Sequence, residues 1–218
     1  MITLRYQIAL FYKNMIKRPD EIYVTLNKKM GNLFDSVPTV IPLASEIPGD
    51  IPMVQLSSKD DKYKCTISKD RTHFFYFPQE EMAIDDYVIK AKKFIEYILK
   101  VAKVNRIGFI SQNIIKDENP VNRINQFYFN FDLSKSKEIN IRFNILKEFR
   151  GISINDVIDV KNAMLENRET REMDDVILIQ RDMNTDSQNT KELTREILDD
   201  FIDSFKGCLV GKEIERLI

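Results

Sequence analysis

The chain has 218 residues, of which 43% are hydrophobic and 31% are charged, so it can bury a core and remain soluble. Its net charge of −1 excludes a strongly basic surface that holds a nucleic-acid backbone by charge alone. Two cysteines, Cys65 and Cys208, are too few for a disulfide scaffold, and no run approaches the roughly 18 apolar residues of a membrane span. These features predict a cytoplasmic protein, one domain over residues 1–218, with no membrane partner.

The first predicted elements are a strand and a helix. Residues 3–12, "TLRYQIALFY", are rich in β-formers and predict a strand. This stretch carries Arg5 and Gln7, unlike the unbroken apolar run of a secretory signal. Pro19 and the two acids after it favour a helix start. Residues 19–34 therefore predict a helix, although "IYVTL" within them has strand propensity.

An irregular crossing, two strands and a long helix follow. Prolines in residues 35–52 predict the crossing, with room for an edge strand at "TVIPL". "YKCTISK" and "THFFYFP" predict two strands with a tight turn at "KDR". Residues 82–103 predict the longest helix, because its apolar residues step by three and four. They are Ile84, Tyr87, Val88, Ala91, Phe94, Ile95, Ile98 and Ala102.

The second half predicts mostly strands with a period of two. "VNRIGFISQNII" opens it, and "QFYFNFDL", residues 139–145, "GISINDVIDV" and "DVILIQRDM" follow as further strands. Asn189 and Glu192 have capping-box spacing, which predicts a helix that runs through Phe205 and ends at Gly207. The tail "KEIERLI" predicts one more helical turn.

Together these elements predict an α+β fold. The sheet is broad and mainly antiparallel, and two long amphipathic helices cover one of its faces. The order of elements in residues 1–104 resembles that in residues 105–218, which predicts a pseudo-duplication of a strand–helix–multistrand–helix unit. Arg106 then begins the first strand of the second copy, and Gly108 allows a close approach by a neighbouring element.

Two stretches resemble a sporadically distributed prokaryotic family of uncharacterised proteins. That family has an Arg-Ile-Gly-Leu-Arg-Tyr-like strand in mid-chain and an Asp-Ile-Asp type strand near the end. In "RIGFISQNII" the matching residues are Arg106, Ile107, Gly108 and Asn113, whereas Phe109, Ile110 and Ser111 depart from the motif. In "VILIQRDMNT", Asp182 matches, and Arg181 stands where the family has an apolar residue. The resemblance implies no catalytic residues.

The sequence offers little for catalysis. It has no phosphate-binding loop, no Gly-x-Ser-x-Gly elbow and only six glycines, so we expect no cofactor. The single histidine, His73, has no second histidine and no cysteine pair with which it could form a set of metal ligands. We interpret it as a packing residue between strands and expect no metal site.

The best enzyme alternative is a metal-dependent nuclease. Such sites place carboxylates and a lysine on neighbouring strands, where the acids hold Mg²⁺. "DVIDVK" offers Asp156, Asp159 and Lys161 as candidate catalytic residues. Asp159 and Lys161 share one face of a strand, whereas Asp156 fits only beside a bulge. We favour a solvated strand face over a catalytic site.

Basic residues give a second weak candidate site. Lys90, Lys92 and Lys93 lie on the long helix, and Arg106 follows it. We interpret the lysines as the solvated flank of a buried stripe. The sequence as a whole predicts a non-enzymatic binding or interaction module with a protein partner. The alternative is a nucleic-acid-binding or metal-dependent nucleic-acid-processing protein.

The predicted partner includes a second copy of the chain. Only one face of the predicted sheet is covered by helices. The opposite face includes Tyr128, Asn140, Arg142 and Asn144, which mix polar and aromatic character. A broad sheet exposes a face or an edge, and an edge is often satisfied by pairing with a copy. We therefore expect a homodimer.

Overall fold

Nine strands form one antiparallel sheet in the computed structural model, which describes residues 1–41, 48–79, 84–133, 135–166 and 171–218. The strands are β1 Ile2–Tyr12, β2 Thr39–Val40, β3 Val54–Ser57, β4 Tyr63–Ile67, β5 Arg71–Tyr76, β6 Val104–Lys116, β7 Asn140–Phe149, β8 Ile152–Glu166 and β9 Met173–Thr185. Their order is β2-β3-β4-β5-β1-β6-β9-β8-β7. Every described strand pair is antiparallel.

Helices connect the strands and all pack on the same side of the sheet. They are α1 Pro19–Lys29, α2 Ile84–Val101, α3 Pro120–Tyr128, α4 Arg195–Phe205 and α5 Gly211–Glu215, with a 3₁₀ turn Lys206–Leu209 between the last two. Prolines begin α1 and α3, where the missing N–H costs nothing. In the described part of the chain, no helix is long and apolar enough to cross a membrane.

The helices define a covered face and an open face of the sheet. Alternate strand residues such as Ile8, Phe74 and Phe109 point to the covered face and pack against α1, α2 and α4. Further along the same face, Ile158 and Ile179 belong to a second apolar cluster, which includes residues of α3 and α5. The other alternate residues form the open face, against which no helix in the described ranges packs.

Charged residues also lie on the covered face. Asp156 of β8 has a side chain that is 0% exposed, yet it is ionised between two cations. Both Asp156 oxygens accept from Arg181 of β9, at 2.9 Å and 2.7 Å, and Lys147 Nζ donates at 2.8 Å. Arg181 also donates to the Cys208 carbonyl oxygen at 2.9 Å. Every charge in this group therefore has a partner inside the fold.

The α+β class and the antiparallel sheet are confirmed, and the ambiguous residues after Pro19 form helix α1. The prediction of a strand at "QFYFNFDL" is wrong, because Asn119 and Pro120 cap and open helix α3 there. Tyr128 therefore ends a helix and is not a strand residue. "TVIPL" contains β2, although Pro42 and Leu43 lie outside the described residues.

The last helix begins and ends differently from its prediction. Asn189 does not cap α4. The side chain of Thr194 does so, accepting from the Ile197 N–H at 3.4 Å. The helix passes at Phe205 into the 3₁₀ turn, so Gly207 lies inside that turn and does not end α4 with a left-handed residue. The short helix predicted in the tail is present as α5.

Candidate binding site on the open sheet face

The centre of the open face combines long polar or aromatic side chains with two very small residues. Three rows cross β5, β1 and β6 in register: Arg71–Phe11–Arg106, His73–Ala9–Gly108 and Phe75–Gln7–Ile110. Because side chains alternate along each strand, all nine positions share the open face. In the middle row, Ala9 and Gly108 have a very short side chain or none, whereas the residues in the rows on both sides have long or aromatic side chains. We call the position of Ala9 and Gly108, between these longer side chains, the depression.

The floor of this depression is shielded although no described helix covers it. Ala9 is only 2% exposed, and Gly108 is buried. A Cβ on Gly108 would lie 3.5 Å from Asp182 Oδ1 and 3.7 Å from the Ala9 Cβ. These are ordinary contacts, so Gly108 leaves a space of about one methyl group beside the Asp182 carboxyl. A Cβ would therefore fit at this position, and the prediction that Gly108 allows an unusually close approach by a neighbouring element is wrong.

Two arginines of the open face form no ion pair within the described residues, although the charges of Asp182 and Asp186 act on one of them, Arg106. Arg106 lies over the Phe11 ring, with Cζ 4.5 Å from the ring centroid, and Arg5 lies over Phe75 at 5.9 Å. Among the described residues, neither guanidinium forms an ion pair, and both Nε atoms are buried without an acceptor. Burial lowers the pKa of both arginines, which nonetheless stay charged at neutral pH.

A third arginine of the open face, Arg71, does have a carboxylate partner. Arg71 also lies over Phe11, with Cζ 5.4 Å from the ring centroid. Its Nε donates to Asp70 Oδ1 at 3.0 Å, and this hydrogen bond raises the pKa of Arg71. The Nε atoms of Arg5 and Arg106 donate to no carboxylate in the described chain, and partly buried cations normally have a hydrogen-bonded partner. An anion that enters the open face would provide one.

His73 adds a neutral donor to the same surface. Burial, together with the nearby charges of Arg71 and Arg5, lowers the pKa of His73 to about 4, while the charge of Asp70 opposes this change. Gln7 Nε2 lies 2.7 Å from His73 Nδ1. Because an amide nitrogen only donates, Nδ1 accepts and the ring proton is on Nε2. The neutral imidazole therefore keeps an N–H that Gln7 does not use.

A carboxyl group stands on the other side of the depression. Burial raises the pKa of Asp182, while hydrogen bonding with Asn184 and the charges of Arg142 and Arg106 oppose that rise. Its Oδ1 is buried and accepts no hydrogen bond. The site thus presents two arginine donors without an acceptor and one carboxyl oxygen without a donor, an arrangement suited to a polar ligand with an anionic group.

The structure separates the basic residues that the sequence grouped. Arg106 belongs to the open face, as described above. Lys90, Lys92 and Lys93 lie on α2, which packs against the covered face. Lys92 Nζ pairs with Asp203 at 2.6 Å, and Lys90 Nζ lies 5.5 Å from the centroid of the Tyr63 ring. These lysines and Arg106 therefore cannot form one binding surface.

The structure also divides the candidate nuclease residues. The register of β8 with β7 and β9 is unbroken, so no bulge turns Asp156 toward its neighbours. Asp156 points to the covered face, where Arg181 and Lys147 occupy it, while Asp159 and Lys161 point to the open face. Asp159 pairs with Arg142 at 3.6 Å. Among the described residues, no group of three His, Cys, Asp or Glu could hold a metal ion.

Arg5, Gln7 and His73 were missed as site residues. The available signal was the alternation of β1, in which Arg5 and Gln7 interrupt the apolar Tyr6, Ile8 and Leu10. Such alternation indicates one wet face of a strand. It does not show that β5 and β6 flank β1, which places His73 and Arg106 beside those residues.

Comparison with known proteins adds no assignment to this geometry, since no protein-family model and no curated protein matches the chain. The resemblance to a sporadically distributed prokaryotic family stays a prediction. Arg106, Gly108 and Asp182, three of the residues on which it rests, lie together on the open face.

Proposed function

We propose that the chain is a non-enzymatic binding module whose open sheet face takes a ligand with an oxyanion, such as a phosphate or a carboxylate. The observation that carries the proposal is the pair of partly buried guanidinium groups of Arg5 and Arg106, whose Nε atoms have no acceptor within the described residues. A desolvated cation is costly to a folded protein unless a counter-ion binds it. Hydrogen bonds from arginine to an oxyanion are also among the strongest in proteins.

The residues around Arg5 and Arg106 support a specific position for the bound ligand. The missing Cβ of Gly108 leaves room for about one methyl group beside Asp182 Oδ1. His73 offers a neutral N–H on one side of this space. Asp182 offers an unfilled acceptor on the other side, so a ligand with a hydrogen-bond donor next to its anion fits best. The Asp182 carboxyl also disfavours a ligand with many closely spaced negative charges at the centre of the open face, because like charges repel.

A nucleic acid is the alternative source of the anion, because its phosphates have the same chemistry. His73 and Phe75 on the open side of β5 and Phe77 just after its end follow one another, with centroid separations of 5.8 Å and 6.2 Å. Aromatic side chains beside arginines are typical of single-strand binding. However, Arg5 and Lys64 already lie over the rings of Phe75 and Phe77. We therefore place this alternative second.

Titration calorimetry tests the proposal with three probes: inorganic phosphate, citrate and a short oligothymidylate. We expect saturable binding of at least one small oxyanion, weakened about tenfold or more by Arg106→Gln or Arg5→Gln. The control is Arg216→Gln on α5, whose guanidinium already pairs with Glu213. Absence of binding by all three probes contradicts the proposal. Tight binding of the oligonucleotide alone promotes the nucleic-acid alternative.

The absence of catalysis belongs to the same proposal. Incubation of DNA and RNA with the protein and Mg²⁺ or Mn²⁺ should leave both intact. The separation of Asp156 from Asp159 and Lys161 supports this expectation. Cleavage that disappears in Asp159→Ala or Lys161→Ala would restore the nuclease alternative.

We further propose that the two halves are structural repeats and that the protein works in the cytoplasm. Strand, helix, a run of antiparallel strands and a helix occur in that order on each side of residue 104. The sheet order, read outward from β1 and β6, supports the repeat, since the last long strand of each half lies next to its first. Two free thiols, Cys65 and Cys208, suit a reducing compartment.

A further inference from the structure

The outer edge of the sheet at β7 is long and unprotected. Strand β7 pairs with β8 over ten consecutive residues, from Asn140 to Phe149, without a register shift. No described segment pairs with its other side. Native proteins usually blunt such an edge with a bulge, a proline or charged side chains, and β7 has charged residues but neither a bulge nor a proline. The opposite edge, β2, is only two residues long.

The pairing with β8 shows which groups of β7 are free. The Ile139 carbonyl, just before the strand, accepts from the Asn162 N–H of β8 at 3.3 Å. Hydrogen-bonding direction alternates along an antiparallel strand, so odd-numbered residues of β7 bond toward β8. The even-numbered residues therefore present their N–H and C=O groups outward. These residues are Asn140, Arg142, Asn144, Leu146 and Glu148.

We propose that two copies of the chain pair through β7 about a two-fold axis, with Ile145 opposite Ile145 of the partner subunit. This arrangement joins the two sheets into one. It also sets Arg142 opposite Glu148 of the partner subunit, and symmetry repeats the pair. Both residues lie on the open face, so their side chains meet across the new strand pair.

Charge selects this register among the symmetric ones that use the same outward groups. In the register centred on Leu146, Arg142 faces Arg150 of the partner subunit, and like charges directly opposite are unfavourable. In the register centred on Asn144, Arg142 faces Leu146 of the partner subunit, and Glu148 gains no cation. Of these three registers, only the one centred on Ile145 places Arg142 opposite a carboxylate.

The exposure of the edge fits an interface between copies. Leu146 is 71% exposed and Ile145 is 45% exposed, which is unusual for large apolar residues on neighbouring strand positions. Arg142 has a side chain that is 63% exposed, and within the described chain Glu148 has no ion pair. Lys147, whose charge could repel a second copy, is already neutralised by Asp156 at 2.8 Å.

Sedimentation and charge reversal test the dimer. Wild-type protein should show twice the chain mass of 25.7 kDa at micromolar concentration. Glu148→Arg sets two arginines against Arg142 and should raise the dimer dissociation constant at least tenfold. Adding Arg142→Glu to that variant should restore dimerisation. A mass of one chain at all concentrations, or equal dimerisation by all three proteins, overturns the proposal.

Cysteine cross-linking tests the register in a Cys208→Ser background. Ile145 forms a non-hydrogen-bonded pair with its symmetry mate, where the side chains are close. Ile145→Cys should therefore form a disulfide-linked dimer under mild oxidation, whereas Leu146→Cys, exposed and adjacent, should not. Cross-linking of Leu146→Cys alone would refute the register. Thermal unfolding confirms that both variants fold, and neither residue takes part in the proposed anion site.

Discussion

Two consecutive residues of β9, Arg181 and Asp182, enter opposite faces of the sheet and meet opposite electrostatic conditions. On the covered face, Arg181 donates to both oxygens of Asp156 and to a carbonyl, so its charge is fully compensated. On the open face, Asp182 Oδ1 is buried without a donor and the Nε of nearby Arg106 is buried without an acceptor, although the charges of the two groups attract each other. The first group is complete within the fold. The second is incomplete in the same chain.

This difference separates charges that support the fold from charges that await a ligand. Buried charges that are paired with one another stabilise the fold only together. Loss of one charge leaves its partner buried without a counter-charge. A partly buried polar group without a hydrogen-bond partner destabilises the folded state until a ligand binds to it. Mutations should therefore affect mainly stability on the covered face and mainly binding on the open face. The predictions below compare the two faces.

The largest expected effect is the loss of Asp156. Asp156→Ala leaves Arg181 and Lys147 without their shared carboxylate and should destabilise the fold by about 3–5 kcal/mol. Asp182→Ala, the adjacent control on the open face, should change the free energy of unfolding by about 1 kcal/mol or less. Urea denaturation measures both values. Similar losses for the two variants would show that the faces do not differ in this way.

The next effect concerns pH and His73. The folded-state pKa of His73 is about 4, below the unfolded value of about 6.5. Between these values the unfolded chain binds more protons, so stability should fall as the pH decreases from about 6.5 to about 4. His73→Gln should remove this part of the pH dependence. Histidine NMR titration checks the pKa, and a folded-state value near 6.5 would contradict the burial argument.

The covered-face carboxylate should respond at lower pH. Burial raises the pKa of Asp156, but hydrogen bonds from Arg181 and Lys147 outweigh burial, and the pKa falls below its ordinary value. Its contribution to stability is therefore present above the unfolded pKa of about 3.9 and is lost as the pH falls through the lower folded value. Acid unfolding of the wild type and of Asp156→Asn, followed as the fraction of folded protein at each pH, shows whether stability is lost in this pH range. Identical acid profiles for the two proteins would rule the assignment out.

The smallest effect on stability, with a clear effect on binding, is expected for Gly108→Ala. A methyl group there makes only ordinary contacts and reduces the freedom of the unfolded chain, so stability should change by at most about 1 kcal/mol. The same methyl group fills the depression and should weaken oxyanion binding. Gly207→Ala is the matched control, since its Cβ would meet no atom within 4 Å. Unchanged binding in Gly108→Ala would move the site away from the depression.

The sequence predicted the fold class better than the site, for a physical reason. Periodicity identifies strands and helices locally, and it located α2, β6, β8 and β9. It failed at residues 126–133, because alternating phenylalanines there form the end of α3 and the loop after it. In that stretch the Asn119 cap and Pro120 outweigh the strand-like pattern.

The site depends on strand order, which local patterns do not contain. Arg5, His73, Arg106 and Asp182 are far apart in sequence and converge because β5, β1, β6 and β9 are neighbours. The error on Asp156 has the same origin. A regular strand turns it to the face opposite Asp159, and its partner Arg181 comes from the next strand.

The most direct test of the central claim observes the arginine side chains themselves. An NMR titration with inorganic phosphate at neutral pH can follow the Nε–Hε signals of Arg5, Arg106 and Arg181. The unpaired guanidinium groups on the open face should shift saturably, and Arg181, held by Asp156, should not move. Unchanged signals for Arg5 and Arg106, or equal shifts for all three arginines, would contradict the account.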